Sequence, residues 1–129
     1  MRVLLDTHAL LWFLADDARL GRRAEALIRD AGTDVLVSTA SLWEIAIKHS
    51  LGKLPLAQPF AEMFPAQLKA NDFEILTIQS EHLVRMVGLP FHHRDPFDRL
   101  LIAQALAEDI PLLSRDGSFG VYDVGIVWQ

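Results

Sequence analysis

Four carboxylates carry the chemistry this 129-residue chain is best equipped to do: Asp6, Glu44, Asp98 and Asp116. Asp6 closes the apolar run 3–5, so it stands at the mouth of a buried strand, where a carboxylate is costly unless hydrogen bonds or a cation compensate it. Its plainer reading is a helix cap. Glu44 lies in a helical stretch in which, at about 100° per residue, Leu42, Trp43, Ile45, Ala46 and Ile47 take most of the circumference. Ser41, Glu44 and Lys48 are left on one polar strip, so the helix reads as largely enclosed with the strip lining a cleft. The alternative is an exposed Glu44 paired with Lys48 at i,i+4. Asp98 follows Asp95-Pro96-Phe97, where Asp95 serves as N-cap and Pro96 as the first helical residue, which accounts for Asp95 without a further role. Asp98 shares its face with Leu101, Ile102 and Ala105, the stripe expected to pack on a sheet, and a mere cap has no reason to point there. Asp116 sits in the turn Arg115-Asp116-Gly117, where an aspartate is unremarkable on its own. Its weight comes from following a strand, as Asp6 does, so that the two can converge.

Four carboxylates in one cleft repel at neutral pH, and a hard, oxygen-seeking cation such as Mg²⁺ or Mn²⁺ resolves that repulsion. Zinc fits less well. The chain has no cysteine, and the adjacent His92 and His93 lack the i,i+4 spacing of a helical ligand pair. They read more readily as partly exposed loop histidines near a helix start than as groups in direct catalysis or metal contact. The net charge of −5, from 17 acidic and 12 basic residues, argues against a basic nucleic-acid surface as the dominant feature. A polyanionic substrate would therefore need the carboxylates neutralised, which bound divalent cations do.

The elements that must position these groups follow from periodicity and punctuation. Residues 3–5 read as a strand and 9–14 as a helix; 20–31 reads as an amphipathic helix with Gly32 as its left-handed stop, and 35–37 as a buried strand. Ser38 or Thr39 caps a helix over 40–51 closed by Gly52, and 59–70 is a further helix before a strand over 73–78. Ser80 opens a short helix ending near Gly88-Leu89-Pro90, and 96–108 is the clearest helix of all. Two short strands, 111–113 and 125–128, complete the pattern. Strands alternating with helices predict an α/β sandwich on a parallel sheet, with the ligand site beyond the carboxyl ends of its strands.

A hydrophobic fraction of 51% with 22% charged residues describes a packed chain long enough for one core, so a single domain over 1–129 is expected. The absence of cysteine and of a signal-like start at Met1-Arg2-Val3 favours a reducing cytoplasm, and no apolar run approaches the roughly 18 residues of a membrane span. Trp12, Phe13, Met63 and Phe64 exceed what one core readily houses, which points to self-association.

Taken together, the stretches Leu4-Leu5-Asp6-Thr7, Ser41-Leu42-Trp43-Glu44-Ile45, the run from His93-Arg94-Asp95-Pro96-Phe97-Asp98-Arg99 through Ala105, and Leu113-Ser114-Arg115-Asp116 resemble the PIN-domain family over essentially the whole chain, in particular the VapC-type ribonuclease toxins of bacterial toxin-antitoxin modules. The resemblance implies a three-layer sandwich with a parallel sheet of order 3-2-1-4-5, which would set the first and fourth strands side by side and bring Asp6 to Asp116. It assigns Asp6, Glu44, Asp98 and Asp116 as catalytic metal ligands and Thr7 and Ser114 as supporting hydroxyls. It further implies endonucleolytic hydrolysis of RNA phosphodiesters without a side-chain nucleophile, a homodimer, and a cognate antitoxin protein whose tail occupies the active-site groove. Arg94, Arg99 and Arg115 flank the cluster and could hold substrate phosphates, or serve as surface residues or carboxylate partners.

Other acidic α/β proteins fit less well. A haloacid-dehalogenase phosphatase needs a second Asp two residues after the first, where this chain has His8. A response-regulator receiver needs an Asp ending its third strand and a Lys after a later one, but 73–78 ends in Gln79 and 125–129 contains no Lys. A catalytically inactive PIN-like module that only docks a protein is the remaining rival, and the intact acidic quartet argues against it.

Overall fold

Strand residues alternate between two cores, one on each face of a central sheet. In the computed structural model, which describes residues 1–127, β1 (Arg2–Leu5) leads into α1 (Thr7–Leu14), a 3-10 turn at Ala18–Leu20, α2 (Arg22–Arg29) and β2 (Asp34–Ser38). Next come α3 (Thr39–Ser50), α4 (Phe60–Ala70), β3 (Glu74–Leu76), α5 (Ser80–Val87) and α6 (Pro96–Glu108). The chain then forms β4 (Leu112–Leu113), a 3-10 turn at Gly117–Tyr122 and β5 (Ile126–Val127). All strand pairings are parallel, in the order 3-2-1-4-5. Val3, Leu5, Val35, Val37 and Leu113 point to one face, where Leu10, Phe13, Ile45 and Phe64 cover them. Leu4, Leu36 and Leu112 point to the other, beneath Leu101, Ile102, Phe119 and Tyr122. Helices thus cover both faces, and the period of two along each strand fixes which side chains reach which layer.

This register sets the site. Leu5 pairs with Val37 on one side and Leu113 on the other, and the Asp6 N–H continues the ladder to the Leu113 carbonyl at 3.1 Å. Asp6 and Ser114 therefore leave the sheet side by side at its carboxyl edge. Ser38, the last residue of β2, accepts the Ala40 N–H and caps α3. Its hydroxyl also donates to Gln104 on α6, whose amide reaches His82 on α5 at 3.3 Å. The fully buried His82 accepts the Gln79 N–H on Nδ1, so its Nε2 carries the proton and donates to Glu108 at 2.9 Å. This polar thread ties α5 and α6 to the start of the helix that bears Glu44.

Several expectations change. Gly32 is not a left-handed stop: α2 ends at Asp30 with φ −64°, and the left-handed glycines are Gly21, which precedes α2 at φ 84°, and Gly52, which closes α3 at φ 73° as expected. The stretch 20–31 splits because Gly21 separates a 3-10 turn from the helix. The strand expected over 73–78 keeps only Glu74–Leu76, being an edge strand paired on one side. Of the last expected strand, Trp128 lies outside the described residues. Phe13, Met63 and Phe64 are buried and Trp12 packs against the same core, so these residues do not argue for self-association. The exposed large apolar groups are others, among them Leu83, Val84 and Val87 of α5 and the nearby Phe91. No helix among the described residues is long and apolar enough to cross a membrane.

Candidate active site

Asp6 is 7% exposed, and both of its carboxylate oxygens are bonded: the Ala9 N–H donates to Oδ1 at 2.7 Å and the Ser114 hydroxyl to Oδ2 at 2.6 Å. The capping role is therefore present on Oδ1, while Oδ2 is tied to the residue that follows β4. Burial pushes its carboxyl above the ordinary range, with the bonds from Ser114 and Ala9 and the nearby His8 pulling down and Asp116 pushing up. Ser114 gives its one proton to Asp6 and accepts the Asp116 N–H at 3.0 Å, so a single hydroxyl couples two of the acids.

Glu44 is 6% exposed on α3, and both readings of it hold in part. Its Oε1 accepts the Thr7 hydroxyl at 2.8 Å, with the Ser41 hydroxyl 3.0 Å from Thr7, while Oε2 accepts from Lys48 one turn along. The polar strip of α3 does face inward to the acids. The rest of the wheel reading fails at Trp43, which is 57% exposed and meets Phe97 edge-on at a ring separation of 5.3 Å. Each of these aromatic residues directly precedes a carboxylate of the cluster.

Asp98 occupies the first turn of α6, half-buried. Loss of solvent raises its pKa to about 7, and the charges of Asp95, Glu44, Asp116 and Asp6 push in the same direction. Those contributions define the cluster electrostatically: the carboxylates from β1, α3, α6 and the turn after β4 share one field. Lys48 is held above its usual range, first by the bond to Glu44, with Asp95 and Asp98 also acting on it. Asp95 is the N-cap of α6, its Oδ1 accepting the Phe97 and Asp98 N–H groups at 2.8 and 3.1 Å. Asp116 caps the 3-10 turn, and its Oδ1 accepts the Ser118 N–H at 3.0 Å and the Ser118 hydroxyl at 2.5 Å.

The arginines divide. Arg94 and Arg115 are exposed, whereas Arg99 is buried and donates to the carbonyls of Pro90, Met86 and Leu89 at 2.9, 3.0 and 3.3 Å, with Phe91 stacked on it. Arg99 is thereby corrected from a candidate phosphate contact to the clasp of the loop between α5 and α6. His92 is exposed and packs edge-on against Tyr122; His93 is half-buried and bonded to Tyr122 and Ser118. Ser118 escaped the sequence reading, although Asp-x-Ser in a tight turn is the pattern of a serine that bonds back to the aspartate.

An all-oxygen donor set, in which burial raises the Asp6 and Asp98 carboxyls, suits a hard divalent cation and not a soft one. A second group of potential ligands, Glu81, His82 and Glu108, has its ligand atoms within 4.8 Å of one another. There the His82 nitrogens already serve as acceptor from Gln79 and donor to Glu108, which leaves no ring lone pair for a metal. A cavity of about 520 Å³ lined by Phe13, Ile28, Val35, Asn71 and Phe73 lies at the amino ends of β2 and β3, the opposite rim of the sheet.

The PIN domain family profile matches residues 3–125. Over 115 residues the chain is 30% identical to Ribonuclease VapC22 of Mycobacterium tuberculosis, covering 88% of this chain and 86% of that one. Ribonuclease VapC16 of the same organism is 37% identical over 57 residues, which span 44% of this chain and 40% of that protein's length. Among solved structures, the crystal structure of VapBC2 from Rickettsia felis bound to a DNA fragment from their promoter superposes over 100% of both chains, with a TM-score of 0.75 at 15% identity.

Proposed function

Because this chain belongs to the PIN-domain family, we propose that it is a metal-dependent endoribonuclease, the toxin of a toxin-antitoxin pair, with Asp6, Glu44, Asp98 and Asp116 as its catalytic metal ligands. The observation that carries this reading is the gathering of acids from four parts of the chain: Ser114 bonds Asp6 and accepts the Asp116 N–H, Glu44 is bonded to Thr7, which follows Asp6, and the half-buried Asp98 has its carboxyl raised by burial and by the charges of Asp95, Glu44, Asp116 and Asp6. Mg²⁺ or Mn²⁺ fits the donor set. When bound, such an ion supplies Lewis acidity toward a phosphoryl oxygen and lowers the pKa of water at neutral pH.

The chain's own residues prepare the site for it. Ser114 orients Asp6 by donating to Oδ2, Thr7 orients Glu44 by donating to Oε1, and Lys48 holds the other Glu44 oxygen. Ser114 also spaces Asp116 from Asp6 through the Asp116 N–H. The Ser118 hydroxyl lies 2.9 Å from His93 Nε2 but gives its proton to Asp116 and not to the ring, so it is not an activated nucleophile and hydrolysis by water is the fitting chemistry. With Arg99 committed to backbone carbonyls, Arg94 and Arg115 are the flanking cations able to meet substrate phosphates.

RNA as substrate is supported by the ribonuclease relatives, and a protein antitoxin and a homodimer by the resemblance to VapC-type toxins. The exposed Leu83, Val84 and Val87 of α5 give the self-association its surface. A single domain and a cytoplasmic setting belong to the same reading, the latter supported by the absence of cysteine. Incubation of the purified chain with end-labelled RNA tests it. Internal cleavage in Mg²⁺ or Mn²⁺ that stops in EDTA is expected. Metal binding without cleavage of any RNA offered would favour the inactive protein-docking module instead.

A further inference from the structure

Four hydrogen bonds outside the quartet run in one direction and end on it. The Tyr122 hydroxyl accepts the His93 backbone N–H at 2.7 Å and lies 3.0 Å from His93 Nδ1. His93 Nε2 lies 2.9 Å from the Ser118 hydroxyl, and that hydroxyl lies 2.5 Å from Asp116 Oδ1. Donor counting fixes the polarity. An ionised carboxylate only accepts, so the single Ser118 proton goes to Asp116. Ser118 must then accept from His93, which places the ring proton on Nε2. In the neutral ring Nδ1 is then an acceptor, and the Tyr122 hydroxyl supplies the proton it needs. Phe119 and Tyr122 pack on the ring at centroid separations of 5.2 and 5.3 Å and hold its plane.

We propose that His93 is a positioning residue for Asp116, acting through Ser118 and anchored by Tyr122. With the Ser118 N–H and hydroxyl both on Oδ1, the carboxylate is held against rotation and Oδ2 is left unengaged by Ser118. Asp116 needs this more than its partners do. Asp6 and Glu44 are buried among fixed neighbours, whereas Asp116 is exposed in a turn and would otherwise sample many rotamers. His93 also ties the segment before α6, which carries Asp98, to the turn that carries Asp116. It thereby sets the spacing between two acids from distant parts of the chain. The inference rests on Asp116 being a ligand of the proposed cation, and it adds to that reading a second layer of orienting groups.

The test is a Mn²⁺ titration by calorimetry on the full chain, with thermal melts in EDTA as control. His93→Phe keeps the packing on Phe119 and Tyr122 but removes the donor; Ser118→Ala removes the link at an exposed position; His93→Gln restores an N–H near the place of Nε2. His93→Phe and Ser118→Ala are each expected to weaken Mn²⁺ binding about tenfold, the lower end of what loss of an outer orienting partner costs. The double variant should be no weaker than Ser118→Ala alone, and His93→Gln should recover most of the affinity. Wild-type affinity in His93→Phe, or losses that multiply in the double variant, would overturn the inference. So would a Mn²⁺ loss in Ser118→Ala that matches its loss of melting temperature and that His93→Gln does not share in reverse. A wild-type chain that binds no Mn²⁺ overturns the proposed function instead and is read from the unmutated protein alone.

Discussion

At the scale of single residues, acids of the proposed cluster and polar groups that hold the fold respond differently to substitution. Asp98 has its carboxyl raised from the usual 3.8 to about 7, so in the absence of metal the folded chain holds this proton more tightly than the unfolded one. As pH rises from about 4 to 7, the unfolded state gives up the proton first and stability falls; above about 7 both states are ionised and the dependence ends. Asp98→Asn should remove this slope and leave the metal-free protein more stable at neutral pH by on the order of 1 kcal/mol, a figure kept small because the group is partly solvated. Thermal melts in EDTA across that range check it, and wild-type and Asn curves that stay parallel would contradict it. Mn²⁺ affinity should rise with pH over the same window, since the ion must displace the proton. Arg99 gives the opposite expectation. Arg99→Ala removes a side-chain donor from three carbonyls, of which Met86 keeps the Leu89 N–H, and should cost about 2–3 kcal/mol in urea unfolding. Arg94→Ala and Arg115→Ala should leave stability unchanged and lower the salt dependence of RNA binding instead. The sequence could not separate these arginines, because their burial depends on where the chain between α5 and α6 returns.

At the scale of elements, what was legible followed local rules. The helix Pro96–Glu108 was expected residue for residue, because Asp95 as N-cap and Pro96 at the first position leave little freedom at its start. The start of α3 was equally local, its cap expected at Ser38 or Thr39 and found at Ser38, as was its closure by Gly52. The inward polar strip of α3 was legible from periodicity, but the exposure of Trp43 was not, since a wheel gives the direction of a side chain and not what stands opposite it. Gly21 and Gly32 were indistinguishable in sequence, and the one that takes positive φ is decided by how α2 meets the sheet. The same limit hid the exposed apolar face of α5. Leu83, Val84 and Val87 look like half of an ordinary amphipathic helix, yet all three are exposed while His82 between α5 and α6 is fully buried. If the chain dimerises through this helix, a Val84→Lys, Val87→Lys double variant should be monomeric by light scattering with an unchanged circular dichroism spectrum. A variant that remains dimeric would move the interface elsewhere.

At the scale of the whole molecule, a chain of net charge −5 with no cysteine is an unusual candidate for a protein that handles RNA. The fold reconciles the two. A parallel sheet of order 3-2-1-4-5 puts β1 and β4 side by side, so acids far apart in the sequence leave adjacent strand ends, and α3 and α6 add one each from either side. The sheet order and the convergence of the quartet were accessible only through the resemblance of the whole chain to a family, since no local pattern states strand order. The hydroxyls and the His93–Ser118 link that orient the acids required coordinates, because their partners lie tens of residues away. The central claim is that these four carboxylates together hold a cation that cleaves RNA. Cleavage of one end-labelled RNA by wild type and by Asp6→Asn, Glu44→Gln, Asp98→Asn and Asp116→Asn, each in Mn²⁺ and in EDTA, tests it most directly. Internal cutting by the wild type in Mn²⁺ alone is expected, with a fall of at least about 100-fold in every variant, each still folded. Cutting that survives EDTA, or variants that cut like the wild type, would mean that the acids cap helices and turns and that the chemistry lies elsewhere.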